Sequence, residues 1–361
     1  MRNLTATLLT IIMSCLCAAA QPCIKWDSRI HNFGAFDEND GRVSCTFRFI
    51  NAGDKPLKIM AARATCGCTT PSFTRDAVMP GDSGTVTVTF NPIGRPGRFS
   101  KYVYIESNSA RDKRSKLEIK GTVIGSSNTL RSRFPVDAGV LKLRNSTLPF
   151  GQVAKGHTKT AFIDIYNTST SPVKPTWKDL PPYISVAELP DGIPAGDYGS
   201  FTLLFDSSKC KEYGVVSDKI TIVPDSREPS VTMPIDIVAI VTEDFSKLTD
   251  KELENAPRIY VKPDKLDFGI INANEKSVSK TLEISNHGES EMTVRRIYST
   301  DKGIEVKISD TRIKPGKSAT ATVTVHPAET GGDILNARIS IITNSPDNPV
   351  MSVRTVGEYR K

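Results

Sequence analysis

The chain has 361 residues, of which 38% are hydrophobic and 24% charged, and its formal net charge is +7. At roughly 100–150 residues per domain this length predicts two or three domains, and the composition gives no sign of global disorder. The basic residues are scattered along the sequence. This disfavours a nucleic-acid-binding protein, which needs a concentrated basic face with aromatic platforms.

Residues 1–20 have the pattern of an export signal. A positive start is followed by an apolar core over residues 4–13, and small residues then predict cleavage between Ala20 and Gln21. The apolar run is shorter than the ~20 residues that span a bilayer. We therefore expect an exported chain without a transmembrane segment, in the periplasm, at the outer membrane or outside the cell. A lipoprotein-like box ending at Cys15 leaves a lipid anchor as the alternative.

Three segments of the chain carry the same markers in the same order. Each carries a Phe-Gly pair near its start, and the pairs recur at intervals of 117 and 118 residues. The pairs are residues 33–34, 150–151 and 268–269. Such a long period indicates a repeat of whole domains rather than of a solenoid unit. After each pair comes an alternating strand that ends in an asparagine: Asn51, Asn167 and Asn286.

A turn and a second clear strand follow in each segment. Pro80-Gly81 and Pro315-Gly316 predict type II turns, because proline presets φ and glycine accepts a positive φ. Pro194-Ala195-Gly196 takes this place in the middle segment. The strands that follow cover residues 85–90, 201–205 and 319–325. About seven short strands in roughly 100 residues predict an immunoglobulin-like sandwich.

The predicted fold class is therefore all-β, with three tandem immunoglobulin-like β-sandwich domains after an N-terminal signal peptide. The signal peptide is predicted at 1–20, the sandwiches at 21–125, 135–242 and 258–361, and the linkers at 126–134 and 243–257. In the second linker, Thr249 to Glu252 has the pattern of a capping box that opens a short helix.

The first segment, residues 24–124, resembles a bacterial family catalogued as domain of unknown function fifteen-seventy-three. The matching residues are Phe33-Gly34, Asn51-Ala52-Gly53, Cys66-Gly67-Cys68-Thr69, Pro80-Gly81 with Gly84, Phe90-Asn91-Pro92, Gly97-Arg98-Phe99-Ser100-Lys101 and Ser107-Asn108. More loosely the segment resembles the Hydin and major-sperm-protein group of sandwiches, which are interaction modules rather than enzymes. The resemblance implies the fold and an envelope location. The other two segments lack the cysteine pair.

The run Cys66-Gly67-Cys68 concentrates the unusual chemistry of the chain. Without the signal, five cysteines remain: Cys23, Cys45, Cys66, Cys68 and Cys210. Thiols tend to pair in an oxidising compartment, and an odd number leaves at least one free or bonded outside the chain. Because glycine permits close approach and unusual φ, the two sulfurs can lie on one side of a strand or in a tight loop.

Four interpretations of the pair stay open. The first is structural: Cys66 or Cys68 pairs with Cys23 or packs at the sandwich edge, while Cys45 is a buried small hydrophobe. The second is a redox-active bond within the pair, since a strained Cys-x-Cys bond is more oxidising. The third is a zinc or copper site on Cys66 and Cys68, with His31 in the same domain. The fourth is attachment to an external partner.

The residues form no convincing catalytic constellation. We therefore predict a non-enzymatic, exported envelope protein that binds a protein or glycan partner through sandwich edges or loops. Two alternatives stay open: a thiol-based redox or soft-metal-binding protein that uses Cys66 and Cys68, and a periplasmic chaperone-like assembly factor. Asp267-Phe268-Gly269 matches a kinase motif, but its equivalents read Asn-Phe-Gly and Pro-Phe-Gly, so it is predicted to be a strand–turn element.

Overall fold

The computed structural model of the protein describes residues 21–187, 192–224, 231–330 and 333–360. The predicted signal peptide, including Ala20, lies outside them. Strands are the main regular structure of the described chain and helices are few, and the predicted all-β, immunoglobulin-like fold class is confirmed. The chain divides into two units. Of the described residues, one unit comprises 21–144, 165–173 and 192–199, and the other comprises 145–164, 174–187, 200–224, 231–330 and 333–360.

The first sandwich lies in the first unit. Its strands are β1 (Ile24–Trp26), β2 (Ile30–Asp37), β3 (Val43–Asn51), β4 (Ile59–Ala64), β5 (Thr69–Phe73), β6 (Ser83–Phe90), β7 (Gly97–Ser107) and β8 (Arg114–Ile124). One sheet has the order β1-β3-β6-β5 and the other β2-β8-β7-β4. Alternate residues of both sheets point inward, and Phe49, Val88 and Ile105 are fully buried between them. Strands β4 and β5 are thus edge strands of opposite sheets.

A helix that the sequence did not predict occupies the first linker. Helix α1 (Ser127–Arg133) begins after Ser126, whose side chain accepts a hydrogen bond from the Thr129 backbone N–H (3.3 Å). The first unit continues with β9 (Val136–Ala138) and β10 (Leu141–Leu143), which pair with each other.

Glu38 attaches this linker to the first sandwich. Its side chain is only 4% exposed. One carboxylate oxygen accepts from the Gly94 N–H (2.5 Å) and the Thr129 hydroxyl (2.8 Å), and the other accepts from the Ser126 N–H (2.9 Å). Burial by itself raises the pKa of Glu38. The backbone bonds from Gly94 and Ser126 and the hydroxyl bond outweigh burial, so the pKa lies below its usual value.

The middle segment supplies strands to both units. They are β11 (Thr147–Ala154), β12 (Thr158–Asn167), β13 (Thr176–Lys178), β14 (Ile184–Ala187), β15 (Tyr198–Asp206), β16 (Gly214–Val223) and β17 (Met233–Thr242). In the first unit, the end of β12 pairs with β10. In the second unit, β14 pairs with β15, and β11-β17-β16-β13 form a four-stranded sheet.

The second unit continues with the predicted short helix and the third sandwich. Helix α2 (Asp250–Glu254) has the expected capping box: the Thr249 N–H donates to the Glu252 carboxylate (2.8 Å), and the Glu252 N–H donates to the Thr249 hydroxyl (3.4 Å). The strands are β18 (Ile259–Lys262), β19 (Lys265–Asn272), β20 (Val278–Asn286), β21 (Met292–Ser299), β22 (Ile304–Ile308), β23 (Arg312–Ile313), β24 (Ser318–Val325), β25 (Ile334–Thr343) and β26 (Val350–Arg360). Their sheets have the orders β18-β20-β24-β22 and β19-β26-β25-β21-β23.

The asparagines and the glycine turns, which are separate markers in the sequence, meet in space. Asn51 is fully buried, and its amide donates to the carbonyls of Lys55 (2.7 Å) and Val78 (2.9 Å). The backbone carbonyl of Asn51 accepts a hydrogen bond from the N–H of Gly81, whose φ of +83° fits the predicted turn. The same bonds recur around Asn167 and Asn286. Each repeat is therefore fastened at an equivalent point.

The Phe-Gly pairs lie at bulges in β2, β11 and β19. Each of these strands pairs in parallel with the final strand of its own repeat, which is β8, β17 and β26 respectively. The register of β2 against β8 shifts between Asn32 and Ala35, and Gly34 has a φ of +71°. Gly151 and Gly269 occupy the same position, with φ of +67° and +63°. Asp267-Phe268-Gly269 therefore lies within β19 as a structural bulge.

Candidate functional site

The Cys66-Gly67-Cys68 run lies where the chain crosses from one sheet of the first sandwich to the other. We call residues 65–68, which join β4 to β5, the disulfide corner. Both strands are edge strands, so the corner lies at the side of the sandwich, next to solvent. Cys68 is buried, Cys66 is half-buried and Gly67 is exposed.

In the structure, Cys66 and Cys68 are bonded to each other, with a Cα–Cα distance of 5.3 Å. The Thr69 hydroxyl lies 3.5 Å from the Cys66 sulfur and 3.7 Å from the Cys68 sulfur. Gly67 has no positive φ, and a Cβ added there would meet no atom within 4 Å. The close approach and unusual φ that glycine permits are thus not used at this position.

Backbone hydrogen bonds hold the corner on both sides. The Thr65 N–H donates to the backbone carbonyl of Tyr102 in β7 (3.0 Å). The N–H of Asn91, which follows β6, donates to the backbone carbonyl of Cys68 (2.9 Å). The other repeats make the equivalent bond without cysteines, from Asp206 to Tyr183 and from His326 to Gly303. The chain path at the corner is thus a property of the fold, and the disulfide is an addition to it in the first sandwich.

Cys23, considered as a partner of the pair, is a free thiol in this structure. It precedes β1, which pairs with the Asn51 end of β3. Thr69 directly follows the corner and pairs with Phe90 of β6. Phe90 in turn pairs with Val43, at the other end of β3. Nine residues of strand place these ends about 27 Å apart. A disulfide needs a Cα–Cα distance of about 4.4–6.8 Å.

The remaining thiols are buried. Cys45 packs in the core of the first sandwich, as predicted, and burial raises its pKa to about 11. Burial also raises the pKa of Cys210, against the opposing effect of the Lys155 charge. A thiol with a raised pKa holds little thiolate at neutral pH, so both are poor nucleophiles.

The zinc or copper interpretation finds few ligands here. Bonded to each other, the sulfurs of Cys66 and Cys68 are not thiolate ligands. His31 packs edge-on against Phe33, with ring centroids 4.5 Å apart. Across the described ranges, no group of three or more His, Cys, Asp or Glu side chains is arranged to hold a metal ion.

An aromatic cluster fills the core at the same end of the sandwich. Phe99 stacks on Phe90 with a centroid distance of 4.1 Å, and Phe33 and Phe36 lie 6.5 and 6.2 Å from it. Phe33, Phe90 and Phe99 are all among the residues that carry the family resemblance. Much of that signature therefore encodes the packing of one end of the sandwich rather than a reactive site.

A second surface of the first sandwich was missed by the sequence argument. We define the basic face as the outer face of β4, β7 and β8. Its cations are Arg63, Arg98, Arg114, Lys116 and Lys120, and its carboxylates are Glu106 and Glu118. Alternation places them together, since residues two apart on a strand share a face. The period-2 spacing of these residues within β7 and β8 was the available signal.

Two tyrosines hold cations in place on this face. The Lys116 ammonium lies 3.6 Å from the ring centroid of Tyr102, and the Arg114 guanidinium lies 4.4 Å from that of Tyr104. Such cation–π pairs are worth about 0.5–1 kcal/mol at exposed sites, enough to favour one side-chain position over others.

Comparison with known proteins agrees with this description. Residues 24–123 match the family described as "Protein of unknown function (DUF1573)". The first sandwich matches DUF1573. Residues 257–355 match the HYDIN/CFA65/VesB-like Ig-like domain. Both families were predicted, although the second match falls on the third sandwich. No curated protein sequence matches the chain.

Solved structures resemble the chain at low identity. A protein of unknown function from Porphyromonas gingivalis W83 is 19% identical with a TM-score of 0.46, over 61% of this chain and 100% of that one. The Vibrio cholerae VesB protease is 16% identical with a TM-score of 0.24, over 32% of this chain and 34% of its own. The PapD-like domain 7 of human CEP192 is 14% identical with a TM-score of 0.24, over 30% of this chain and 89% of its own.

Among the described residues, no helix combines the length and apolar character needed to cross a membrane. The first sandwich presents two surfaces of chemical interest, the disulfide corner and the basic face.

Proposed function

We propose that this chain is an exported, non-enzymatic interaction protein of the cell envelope, whose sandwiches bind a protein or glycan partner. The observation that carries the proposal is the disulfide corner. A bond between Cys66 and Cys68 persists in an oxidising compartment such as the periplasm, and it is reduced in most cytosols. This supports export of the chain.

The position of the bond supports a structural role for it. It cross-links a turn whose backbone path recurs in the other repeats, and one of its sulfurs is buried. Tandem immunoglobulin-like sandwiches commonly present surfaces for recognition. An interaction protein is therefore the function that the geometry supports best.

Fractionation and intact mass would test export. The full chain, expressed with its residues 1–20 in a bacterium with an envelope, is expected in the envelope fraction with Gln21 as its first residue. Its mass should rise by one pair of hydrogen atoms on reduction, and peptide mapping should assign the pair to Cys66 and Cys68. A lipid at Cys15 would give a heavier species at the membrane. A cytosolic, fully reduced chain that retains residues 1–20 would contradict the proposal.

Chemical cross-linking in intact cells would test the interaction. We expect a defined partner, captured by the wild-type chain and by a Cys66→Ala/Cys68→Ala variant alike. Turnover of a substrate by the purified chain would contradict a non-enzymatic role.

Thiol–disulfide exchange is the second candidate, and the partial exposure of Cys66 favours it. A substrate thiolate would attack the Cys66 sulfur, form a mixed disulfide and release the Cys68 thiolate, and a second substrate thiol would complete the exchange. In a Cys68→Ser variant, the remaining Cys66 thiolate should attack the disulfide of an oxidised substrate and release one substrate sulfur as a thiolate. Without Cys68 to resolve it, the mixed disulfide between Cys66 and the other substrate sulfur should persist and be trapped. No trapped species beyond those of a Cys66→Ser variant would exclude this candidate.

A further inference from the structure

The positive charge of the basic face is not a requirement of the fold. Strands β16 and β17 of the middle repeat are equivalent to β7 and β8, since each pair begins with a glycine opposite a valine. Where the basic face carries Arg98 and Lys120, the middle repeat carries Val215 and Val238. The first sandwich therefore has a charged surface that its own architecture could do without.

A cavity opens in the basic face beside the Phe-Gly bulge. Its volume is about 440 Å³, within the range of about 300–1,000 Å³ that small-molecule sites occupy. Its polar lining comes from Asn32, Arg98, Ser100, Lys120 and Thr122. It thus offers two cations, two hydroxyls and one amide on a small area.

We infer that the basic face binds an acidic polysaccharide, with one carboxylate-bearing sugar unit in this cavity. Guanidinium and ammonium groups bind carboxylates by charge-assisted hydrogen bonds, and hydroxyls and amides exchange hydrogen bonds with sugar hydroxyls. The inference rests on the proposed function, because it names the partner class of an exported binding protein.

The polar groups of the cavity keep bonding capacity for a ligand. The Ser100 hydroxyl donates to Glu118 (2.8 Å), so its oxygen can still accept. Arg98 lies 3.5 Å from Asp197, but its side chain is 66% exposed and its other guanidinium N–H groups remain as donors. A carboxylate on the sugar would therefore meet Arg98 and Lys120 together.

An extended acidic peptide fits this face less well. Strands β7 and β8 are the central strands of their sheet and are hydrogen-bonded on both sides. A peptide laid across them gains no main-chain bonds, which supply the affinity in strand addition. Recognition must come from side chains alone. From Arg114 to Lys120, the cations of β8 extend over about 20 Å, which suits the repeating charges of a polysaccharide chain.

Binding of purified full-length protein to three polymers would test the inference by isothermal titration calorimetry. The probes are polygalacturonate, neutral dextran and poly-L-glutamate. We expect binding to polygalacturonate that weakens as salt rises, little binding to dextran, and weaker binding to poly-L-glutamate at equal charge.

Two variants locate the site. Lys116→Gln/Lys120→Gln should weaken polygalacturonate binding by about tenfold or more, since charge-assisted bonds are lost. The matched control, Lys314→Gln/Lys317→Gln on the exposed surface of the third sandwich, changes net charge equally and should leave binding unchanged. Thr122→Val removes one cavity hydroxyl at constant shape, and should weaken binding to polygalacturonate but not to poly-L-glutamate.

Equal affinity for poly-L-glutamate and polygalacturonate would overturn the inference in favour of an acidic protein partner. Equal losses in the two double variants, or no binding to any polyanion, would also overturn it. None of these results bears on the cross-linking test above, in which a partner held at another surface would still support the proposed function.

Discussion

Buried asparagines stabilise each repeat because their side-chain amides donate hydrogen bonds to backbone carbonyls that water cannot reach. Asn51 bridges the carbonyls of Lys55 and Val78 and is itself fully buried. A buried carbonyl left without a donor costs more than an average hydrogen bond contributes, so this side chain matters more than its size suggests.

Replacing Asn51 by alanine should destabilise the first sandwich by about 1–3 kcal/mol, because two buried carbonyls lose their donor. In the full-length chain, hydrogen exchange measured by mass spectrometry should accelerate in β3 and β6 and stay unchanged in β20 and β24. Asn286→Ala should give the reverse pattern. The exposed Asn108, which bonds to Lys58 and Pro56, is the control, and Asn108→Ala should have a smaller effect. Equal effects at the buried and exposed sites would contradict this account.

At the scale of elements, the strand bulges depend on glycine for a single reason. At Gly34 the φ is +71° and no atom lies within 4 Å of an added Cβ. The cost of a side chain there is therefore conformational and not steric. Gly67 in the disulfide corner has neither a positive φ nor a close neighbour.

Gly34→Ala should destabilise the first sandwich by about 1–2 kcal/mol, the cost of a non-glycine residue in the left-handed region. Gly67→Ala should be close to neutral. Chemical denaturation of the two variants, followed by the fluorescence of Trp26 in the core of the first sandwich, would measure the difference. A neutral Gly34→Ala variant would mean that the bulge rearranges to accept a side chain.

The disulfide at the corner encloses a loop of only three residues, so its stabilising effect is small. Chain-entropy reasoning gives about 1–2 kcal/mol for so short a loop. Cys66→Ala/Cys68→Ala should therefore retain the fold, with faster hydrogen exchange at Thr69 and Asn91. Reduction of the wild-type chain should have a similar effect. Global unfolding of the first sandwich on reduction would show that the bond carries more of its stability than this estimate allows.

At the scale of the whole molecule, one buried carboxylate ties a linker to a domain. Glu38 accepts hydrogen bonds from the loop at Gly94 and from both Ser126 and Thr129 at the start of α1. The sequence predicts a short linker between two domains over residues 126–134. The helix and its anchor instead make this linker part of the first unit.

Acid should release this anchor. The folded pKa of Glu38 lies below its unfolded value, so its contribution is fully present above the usual glutamate pKa and is lost as the pH falls through the lower, folded value. The amide proton shifts of Gly94 and Ser126, followed by NMR, should titrate together with a midpoint below that of an ordinary glutamate. Glu38→Gln should abolish this titration, while the chain stays folded at neutral pH. Shifts that do not depend on Glu38 would contradict the assignment.

Much of the fold follows from the sequence. The strand over Val43–Asn51, the capping box at Thr249 and the glycine turn at Gly81 are all local patterns, and the structure has each of them where it was predicted. Local backbone preference and period-2 alternation decide such features, and threefold repetition reinforces them. The all-β class follows for the same reason.

What the sequence could not determine depends on residues far apart in the chain. The pairing of Cys66 with Cys68 rather than Cys23 follows from strand register, which places Cys23 at the opposite end of β3. The basic face arises because β4, β7 and β8 are neighbours, which collects cations that look scattered along the chain. The anchor at Glu38 joins residues that are 56 to 91 positions apart. Sequence spacing carries no information about such contacts, because the sheet order alone decides which strand ends meet.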